Sequence, residues 1–153
     1  MKFTEKTTIQ SADVDMRGVL RPTALLAKLE DVGGHQMISF PPSNDDLRKQ
    51  GLAFITSRMV IQIRKELREN MEVDMETWAT DSRGLSFNRC YRMLHDGEVA
   101  ADVYSSWALL NFEEHTLVRV NDFGEVGGEQ YLPLTLDIPL RVRMPAAEEY
   151  TEV

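Results

Sequence analysis

Apolar residues in the first third of the chain recur at steps of three and four, the spacing of one face of a helix. They are Leu25, Leu26, Leu29, Val32, Met37 and Phe40. Pro22 suits the first helical turn and the pair Pro41-Pro42 ends the run, so the pattern predicts a long helix between them. Gly33 and Gly34 weaken a helix interior, which indicates that another backbone comes close there. A central helix enclosed by other elements is therefore expected.

Shorter elements flank this helix. Residues 2–10 are mixed, with Phe3 and Ile9 as the main apolar positions, and form a predicted first strand. Ser43 followed by Asp46 has the spacing of an N-cap, and Gly51 is a plausible helix stop. A short second helix is expected between them.

Four extended runs follow, at residues 53–64, 71–79, 85–94 and 99–112. The second run alternates apolar with polar or charged residues, and the last two flank Asp96-Gly97, a strong hairpin signal. In the first run, one face is expected to carry Ile55, Met59, Ile61 and Ile63. The chain thus predicts an α+β fold in which antiparallel strands follow one long helix.

The last part of the chain differs from the rest because glycine and proline interrupt it repeatedly and its end is polar. Residues 121–153 are expected to form a strap over the domain and a linker-like tail. At 153 residues, the chain fits one domain spanning 1–153.

Composition narrows the possible functions. The net charge of −8 argues against nucleic acid as the main partner. No segment has the length of a signal peptide or membrane span, so no membrane partner and a cytoplasmic location are expected.

Cys90 is the only cysteine, which excludes an internal disulfide and fits a small buried side chain. The three histidines are too scattered to suggest metal-ligand spacing.

The segment just before the long helix carries candidate chemistry. Asp13 and Asp15 precede Gly18, and a helix N-terminus favours negative charge. Asp15 could act as a general base or nucleophile on a thioester carbonyl whose oxyanion is held by the N–H groups of Gly18, Val19 and Leu20. The alternative is an aspartate that orders the turn, while Asp13 is expected to face solvent or pair with Arg17.

Four stretches of the sequence resemble the acyl-acyl carrier protein thioesterases of bacteria and plants. They are residues 9–38 (IQSADVDMRGVLRPTALLAKLEDVGGHQMI), 51–63 (GLAFITSRMVIQI), 73–80 (VDMETWAT) and 105–111 (SSWALLN). The resemblance implies a hotdog fold, in which a curved antiparallel sheet wraps a long central helix. It also implies hydrolysis of an acyl thioester without a metal or redox cofactor.

Members of that family usually carry two hotdog halves, and the second half holds a D-x-N-x-H-x-N pattern. Asp15 matches its aspartate, whereas Arg17, Val19 and Arg21 replace the asparagine, histidine and asparagine. The helix start and Trp107 to Leu110 are more similar to the first, substrate-shaping half. The family's R-R-E-C-G strand end resembles residues 64–68, where Glu66 matches the glutamate and Leu67 replaces the cysteine.

The resemblance also implies partners. Arg64, Lys65 and Arg68, together with Arg58, could meet the phosphate of phosphopantetheine or an acidic acyl carrier protein, although solubility alone could explain them. Glu66 could likewise be a solvated strand end. Hotdog sheets commonly pair, so a homodimer is expected. Two hypotheses remain open: an acyl-thioester hydrolase using Asp15 and Glu66 on carrier-protein or CoA substrates, and a non-catalytic acyl-binding or dimerisation module.

Overall fold

One antiparallel sheet and one long helix dominate the computed structural model, which describes residues 2–124 and 131–136. The helices are α1 (Pro22–Ser39), α2 (Asn44–Lys49) and α3 (Val120–Phe123). The strands are β1 (Phe3–Thr8), β2 (Leu52–Ile63), β3 (Glu72–Arg83), β4 (Ser86–His95), β5 (Glu98–Asn111) and β6 (Thr116–Val118). The sheet order is β1-β3-β4-β5-β2, with β6 paired to β5. The curled sheet around a helix is a hotdog fold, as expected.

Helix α1 buries most of the stripe that its sequence predicts, but Phe40, just past the helix end, is 38% exposed. Leu25, Leu29 and Val32 are at most 2% exposed, and they pack against the inward residues of the central strands. Those partners include Val73, Met75, Tyr91, Met93 and Val103. Burial of this apolar area, at about 25 cal/mol per Å², holds the helix in the sheet.

Local signals fix several boundaries. Ser43 caps α2 by accepting the Asp46 N–H at 3.2 Å, and the Asp46 carboxylate accepts the Ser43 N–H at 3.0 Å. Asp96 and Gly97 both have positive φ and join β4 to β5, which confirms the hairpin.

The expected single face of β2 is wrong. A bulge between Thr56 and Arg58 shifts the register against β5, and the extra residue reverses which side chains point inward. Met59 and Ile61 pack on the core, while Ile55 is 44% exposed.

The expected close approach of another backbone at Gly33 and Gly34 is wrong. The neighbour that packs closely is a side chain, Tyr91, and it packs against Gly33. A Cβ on Gly33 would lie 3.1 Å from Tyr91 Oη, whereas a Cβ on Gly34 would meet nothing nearer than Asn44 Nδ2 at 3.9 Å. Gly33 is therefore required by the buried Tyr91 ring, and Gly34 is not.

This difference predicts opposite effects of alanine at the two glycines. Gly34→Ala should raise the free energy of unfolding by about 0.5–1 kcal/mol, because alanine favours the helix. Gly33→Ala should not raise the free energy of unfolding in this way, because its new methyl group crowds Tyr91. We expect its free energy of unfolding to be about 1 kcal/mol lower than that of Gly34→Ala. Urea unfolding of both variants measures the difference; equal stabilisation by the two would contradict the packing.

Residues 131–136 cross the sheet face opposite α1. Tyr131 N–H donates to the Ala79 carbonyl at 2.9 Å, and Trp78 Nε1 donates to the Leu132 carbonyl at 3.1 Å. Cys90 lies beneath this segment with no exposed surface, and burial raises the pKa of its thiol to about 11. Of the strap and linker-like tail predicted at 121–153, the structure describes residues 121–124 and 131–136; the predicted linker-like end at 150–153 lies outside the described residues. Within the described ranges, no helix is long and apolar enough to cross a membrane.

Candidate active site

The loop before α1 is a tight turn built around Asp15. The Asp15 N–H donates to the Val19 carbonyl at 2.8 Å, and the Gly18 N–H donates back to the Asp15 carbonyl at 2.9 Å. Gly18 has φ of 73°, a left-handed conformation that glycine adopts without strain. Val14 also bridges to Leu20, so the two arms of the loop run side by side into the helix.

Two backbone amides orient the Asp15 carboxylate. Its Oδ1 accepts the N–H of Arg17 at 2.8 Å and that of Val19 at 3.1 Å, and its Oδ2 accepts from Arg17 Nε at 3.2 Å. The Val19 and Arg17 amides, followed by the Arg17 guanidinium, hold the pKa of Asp15 below its usual value. The side chain remains 31% exposed. Asp15 is therefore ionised at neutral pH and fixed in direction, and its Oδ2 is in contact with the side chain of Arg17, which is 73% exposed.

The structure joins this loop to the segment that follows β2. Leu20 N–H donates to the Leu67 carbonyl at 2.8 Å, and Arg68 Nη1 donates to the Arg17 carbonyl at 3.1 Å. Val19 and Arg68 form an isolated β-bridge. Two segments far apart in sequence thus form one wall at the start of α1.

A cavity of about 310 Å³ opens between these segments and the helix start. We call it the entrance cavity; its lining includes Asp15, Leu20, Pro22, Leu25, Lys65 and Glu66. Glu66 is 59% exposed and accepts from Arg68 Nη2 at 2.8 Å. Both predicted carboxylates therefore border one space, with apolar side chains between them.

The amides expected to bind an oxyanion are already occupied. Gly18 N–H donates to Asp15 O, Val19 N–H to Asp15 Oδ1, and Leu20 N–H to Leu67 O. At the helix start, Thr23 and Ala24 N–H have no acceptor among the residues that the structure describes. These two amides lie in the first turn, where an α-helix leaves N–H groups free. Within the described part of the chain they are the unpaired donors at the helix start, but neither residue is among those lining the entrance cavity.

The basic residues separate into two groups. Arg64 turns away from the entrance cavity and donates to Asp102 Oδ2 at 3.1 Å, a carboxylate that is 3% exposed and also bound by Arg92. Lys65 lines the entrance cavity, with Nζ 2.8 Å from Glu98 Oε2. Arg68 bonds Glu66 and the loop backbone. Arg64 is thereby engaged elsewhere, and Lys65 is the one of these three that lines the entrance cavity, together with Arg17 and Arg21.

Asp13 has a structural role that differs from the expected exposure or Arg17 pairing. Its Oδ2 lies 2.8 Å from Lys28 Nζ and accepts the Gln10 N–H at 2.8 Å. Arg17 pairs with Asp15 instead. Asp13 therefore ties the turn at Ser11–Asp13 to helix α1 and is not among the residues lining the entrance cavity.

A second cavity, of about 330 Å³, lies between α1, α2 and the sheet. We call it the helix–sheet cavity; its lining includes Gly34, Met37, Leu47, Phe54, Arg89 and Trp107. Sequence reasoning missed Arg89, although it stands at an inward position of β4 between Phe87 and Tyr91. That charged residue in an otherwise apolar alternation was the available signal.

Comparison with known proteins places the chain in a family. The family described as acyl-ACP thioesterase N-terminal domain matches residues 1–125. The oleoyl-acyl carrier protein thioesterase 1, chloroplastic, of Arabidopsis thaliana is 27% identical over 131 residues, which cover 80% of this chain and 36% of that protein. The chain thus spans about a third of the length of this curated relative.

Solved structures confirm the fold. The putative oleoyl thioesterase of Lactobacillus plantarum superposes with a TM-score of 0.80 at 14% identity, covering 97% of this chain and 59% of that chain. A DHNA-CoA thioesterase of Staphylococcus aureus superposes with a TM-score of 0.72 at 16% identity, covering 78% of this chain and 81% of that one. The predicted similarity to a first hotdog half is confirmed by the matched domain: the chain belongs to the acyl-ACP thioesterase N-terminal domain family.

Proposed function

We propose that this chain hydrolyses acyl thioesters at the entrance cavity, releasing a free fatty acid from an acyl carrier protein or CoA. The observation that carries the proposal is the meeting of Asp15 and Glu66 at one cavity beside the start of α1. Family membership supports the reaction class.

Asp15 is the group proposed to start the reaction. Its Oδ2 accepts a proton from a water molecule as the water oxygen adds to the thioester carbonyl carbon. The oxyanion is proposed to point past Pro22, at the edge of the entrance cavity, toward the unpaired Thr23 and Ala24 amides. The C–S bond then breaks, and the sulfur leaves with the proton that Asp15 had accepted. Direct attack by the carboxylate on the carbonyl, followed by hydrolysis of the anhydride, is the alternative route for the same residue.

Glu66 and Lys65 are proposed to position the substrate. Glu66 stands at the mouth of the entrance cavity, where it can orient water, while Lys65 can exchange Glu98 for a phosphate of phosphopantetheine or CoA. The ion pairs that Lys65 and Glu66 form with Glu98 and Arg68 lie at the exposed surface. Breaking either pair on substrate binding therefore leaves no buried charge without a partner.

The second candidate is a non-catalytic acyl-binding or dimerisation module. Two observations favour it: Arg17, Val19 and Arg21 replace the family's polar residues, and the loop amides are consumed within the fold. In this role the helix–sheet cavity would hold an acyl chain, and activity would require a second hotdog half.

We also propose a homodimer. One side of the 12-residue strand β2 pairs with β5, and its other side has no strand partner in the described part of the chain. Such an edge favours pairing with another strand. Sedimentation should report two copies per particle; a monomer at assay concentration would contradict this arrangement.

The assay follows both products with three matched substrates: an acyl carrier protein thioester, the CoA thioester and an oxygen ester of the same acyl chain. Thiol and free acid should appear in equal amounts from at least one thioester and faster than from the oxygen ester. Tight binding of acyl-carrier protein without release of either product would instead establish the non-catalytic module.

The low pKa of Asp15 predicts the acidic side of the pH profile. A group whose pKa lies below its ordinary value stays charged as the pH falls, so kcat/KM should not decline through protonation of Asp15 between about pH 8 and 5. The measurement is kcat/KM across that range in buffers of constant ionic strength. An acidic limb centred near pH 6–7 would identify a different base, such as a histidine.

A further inference from the structure

Arg89 is a buried cation at the floor of the helix–sheet cavity. The residue is 8% exposed and lies on β4, facing α1. Its Nη1 donates to Gln36 Oε1 and, at 3.1 Å, to Thr77 Oγ1. Gln36 and Thr77 are themselves buried, and both are neutral. The guanidinium therefore lies within the protein on polar but uncharged supports.

No described carboxylate forms an ion pair with Arg89. Among the described residues that line the cavity, Glu30 is the one acidic side chain, and it is exposed to solvent. Burial lowers the pKa of Arg89, which shows that removal from water is the dominant influence on this group. An arginine stays charged in proteins, so within the described part of the chain this site carries a positive charge that no carboxylate compensates.

The cavity gives Arg89 access to a ligand. Arg89 has five N–H donors, and the described acceptors engage only Nη1. Gly34 forms part of the opposite wall and leaves open space, and Met37, Phe54 and Trp107 supply apolar surface. A volume of about 330 Å³ is at the lower end of small-molecule sites.

We propose that the helix–sheet cavity binds an aliphatic carboxylate, with its alkyl part on the apolar lining and its carboxylate against Arg89. A carboxylate matches the planar fork of a guanidinium and neutralises its charge. The carboxylate has two possible sources: a free fatty acid, or the far end of an acyl chain that carries its own carboxyl group. The proposal concerns binding, so it stands or falls independently of hydrolysis at Asp15.

The test compares octanoate with 1-octanol by isothermal titration calorimetry on the whole chain. Octanoate should bind at least tenfold more tightly than 1-octanol. Arg89→Met should remove that preference, whereas Arg89→Lys, which keeps the charge, should retain part of it. Equal binding of the two probes by the unmodified chain, or undiminished octanoate binding by Arg89→Met, would overturn the proposal.

A second variant guards against misfolding of the Arg89 variants. Gly34→Leu places a side chain in the cavity from the helix side and leaves residue 89 an arginine, so it should abolish octanoate binding while the far-UV circular dichroism is unchanged. If octanoate still binds Gly34→Leu as tightly as the original chain, the site is elsewhere and the proposal is wrong.

Thioesters of octadecanoic and octadecanedioic acid distinguish the two sources, because Gln36, which binds Arg89, lies about 20 Å along α1 from Pro22 at the entrance cavity. A lower KM for the octadecanedioic thioester, lost in Arg89→Met, would assign the site to the far end of a dicarboxylic acyl chain. Competitive binding of free octanoate without a KM difference would assign it to a free fatty acid. A chain that binds octanoate through Arg89 but hydrolyses neither thioester would refute the proposed function and leave this site intact.

Discussion

Asp15→Asn is expected to lower kcat/KM for acyl-thioester hydrolysis by about 10²–10⁴-fold. Asparagine cannot accept a proton from water or attack the carbonyl, so both proposed routes are lost. Its side-chain oxygen can still accept the Arg17 and Val19 N–H groups that Asp15 Oδ1 accepts, so the turn should persist. The measurement is steady-state hydrolysis at neutral pH, with the unfolding midpoint recorded for each variant.

Asp13→Asn is the matched control because Asp13 lies two residues earlier and does not line the entrance cavity. It should lose stability through the weakened contacts with Lys28 and Gln10, yet retain kcat/KM within a factor of about two. Equal loss of activity in both variants would show that the turn, and not the Asp15 carboxylate, is what activity requires.

Leu29→Ala is expected to lower the free energy of unfolding by about 2–5 kcal/mol. Leu29 is 1% exposed at the centre of α1 and packs in the cluster between the helix and strands β3 to β5. Truncation removes buried apolar surface and leaves a cavity that a sheet with fixed register cannot close. Urea unfolding with a common m-value measures the loss.

Ile38→Ala on the same helix is the control for helix propensity. Ile38 is 68% exposed, so the same kind of truncation should change the free energy of unfolding by less than about 0.5 kcal/mol. If both variants lost similar amounts, the buried stripe of α1 would not be the source of the fold's stability.

Much of the fold was predictable because its signals are local. Leu25, Leu29 and Val32 mark the buried face of α1 by spacing alone, and Asp96-Gly97 marks the hairpin by backbone preference. The Ser43 cap depends on contacts within four residues. Each of these features can be read without knowing which strands pair.

Features that depend on tertiary contacts were missed. One extra residue near Ser57 reversed the expected face of Ile55, and sequence periodicity cannot show where a bulge falls. The amides of Gly18 to Leu20 are consumed by Asp15 and Leu67, and the second partner is distant in sequence.

The candidate site was only partly predictable, because some of its contacts also depend on tertiary structure. The family resemblance pointed to Asp15 and Glu66, and the fold places both at the entrance cavity. It could not show that Arg64 is held by Asp102 on β5, or that Arg89 is buried against Gln36 of α1. Both contacts arise from pairing between elements that no local pattern specifies.

The most direct test of the central claim is a crystal structure of this chain with a non-hydrolysable acyl-CoA analogue in which a methylene separates the ketone from sulfur. The ketone carbon is expected in the entrance cavity, facing Asp15, with its oxygen within hydrogen-bonding distance of the Thr23 or Ala24 N–H. A ketone bound away from Asp15, with the entrance cavity empty, would contradict it.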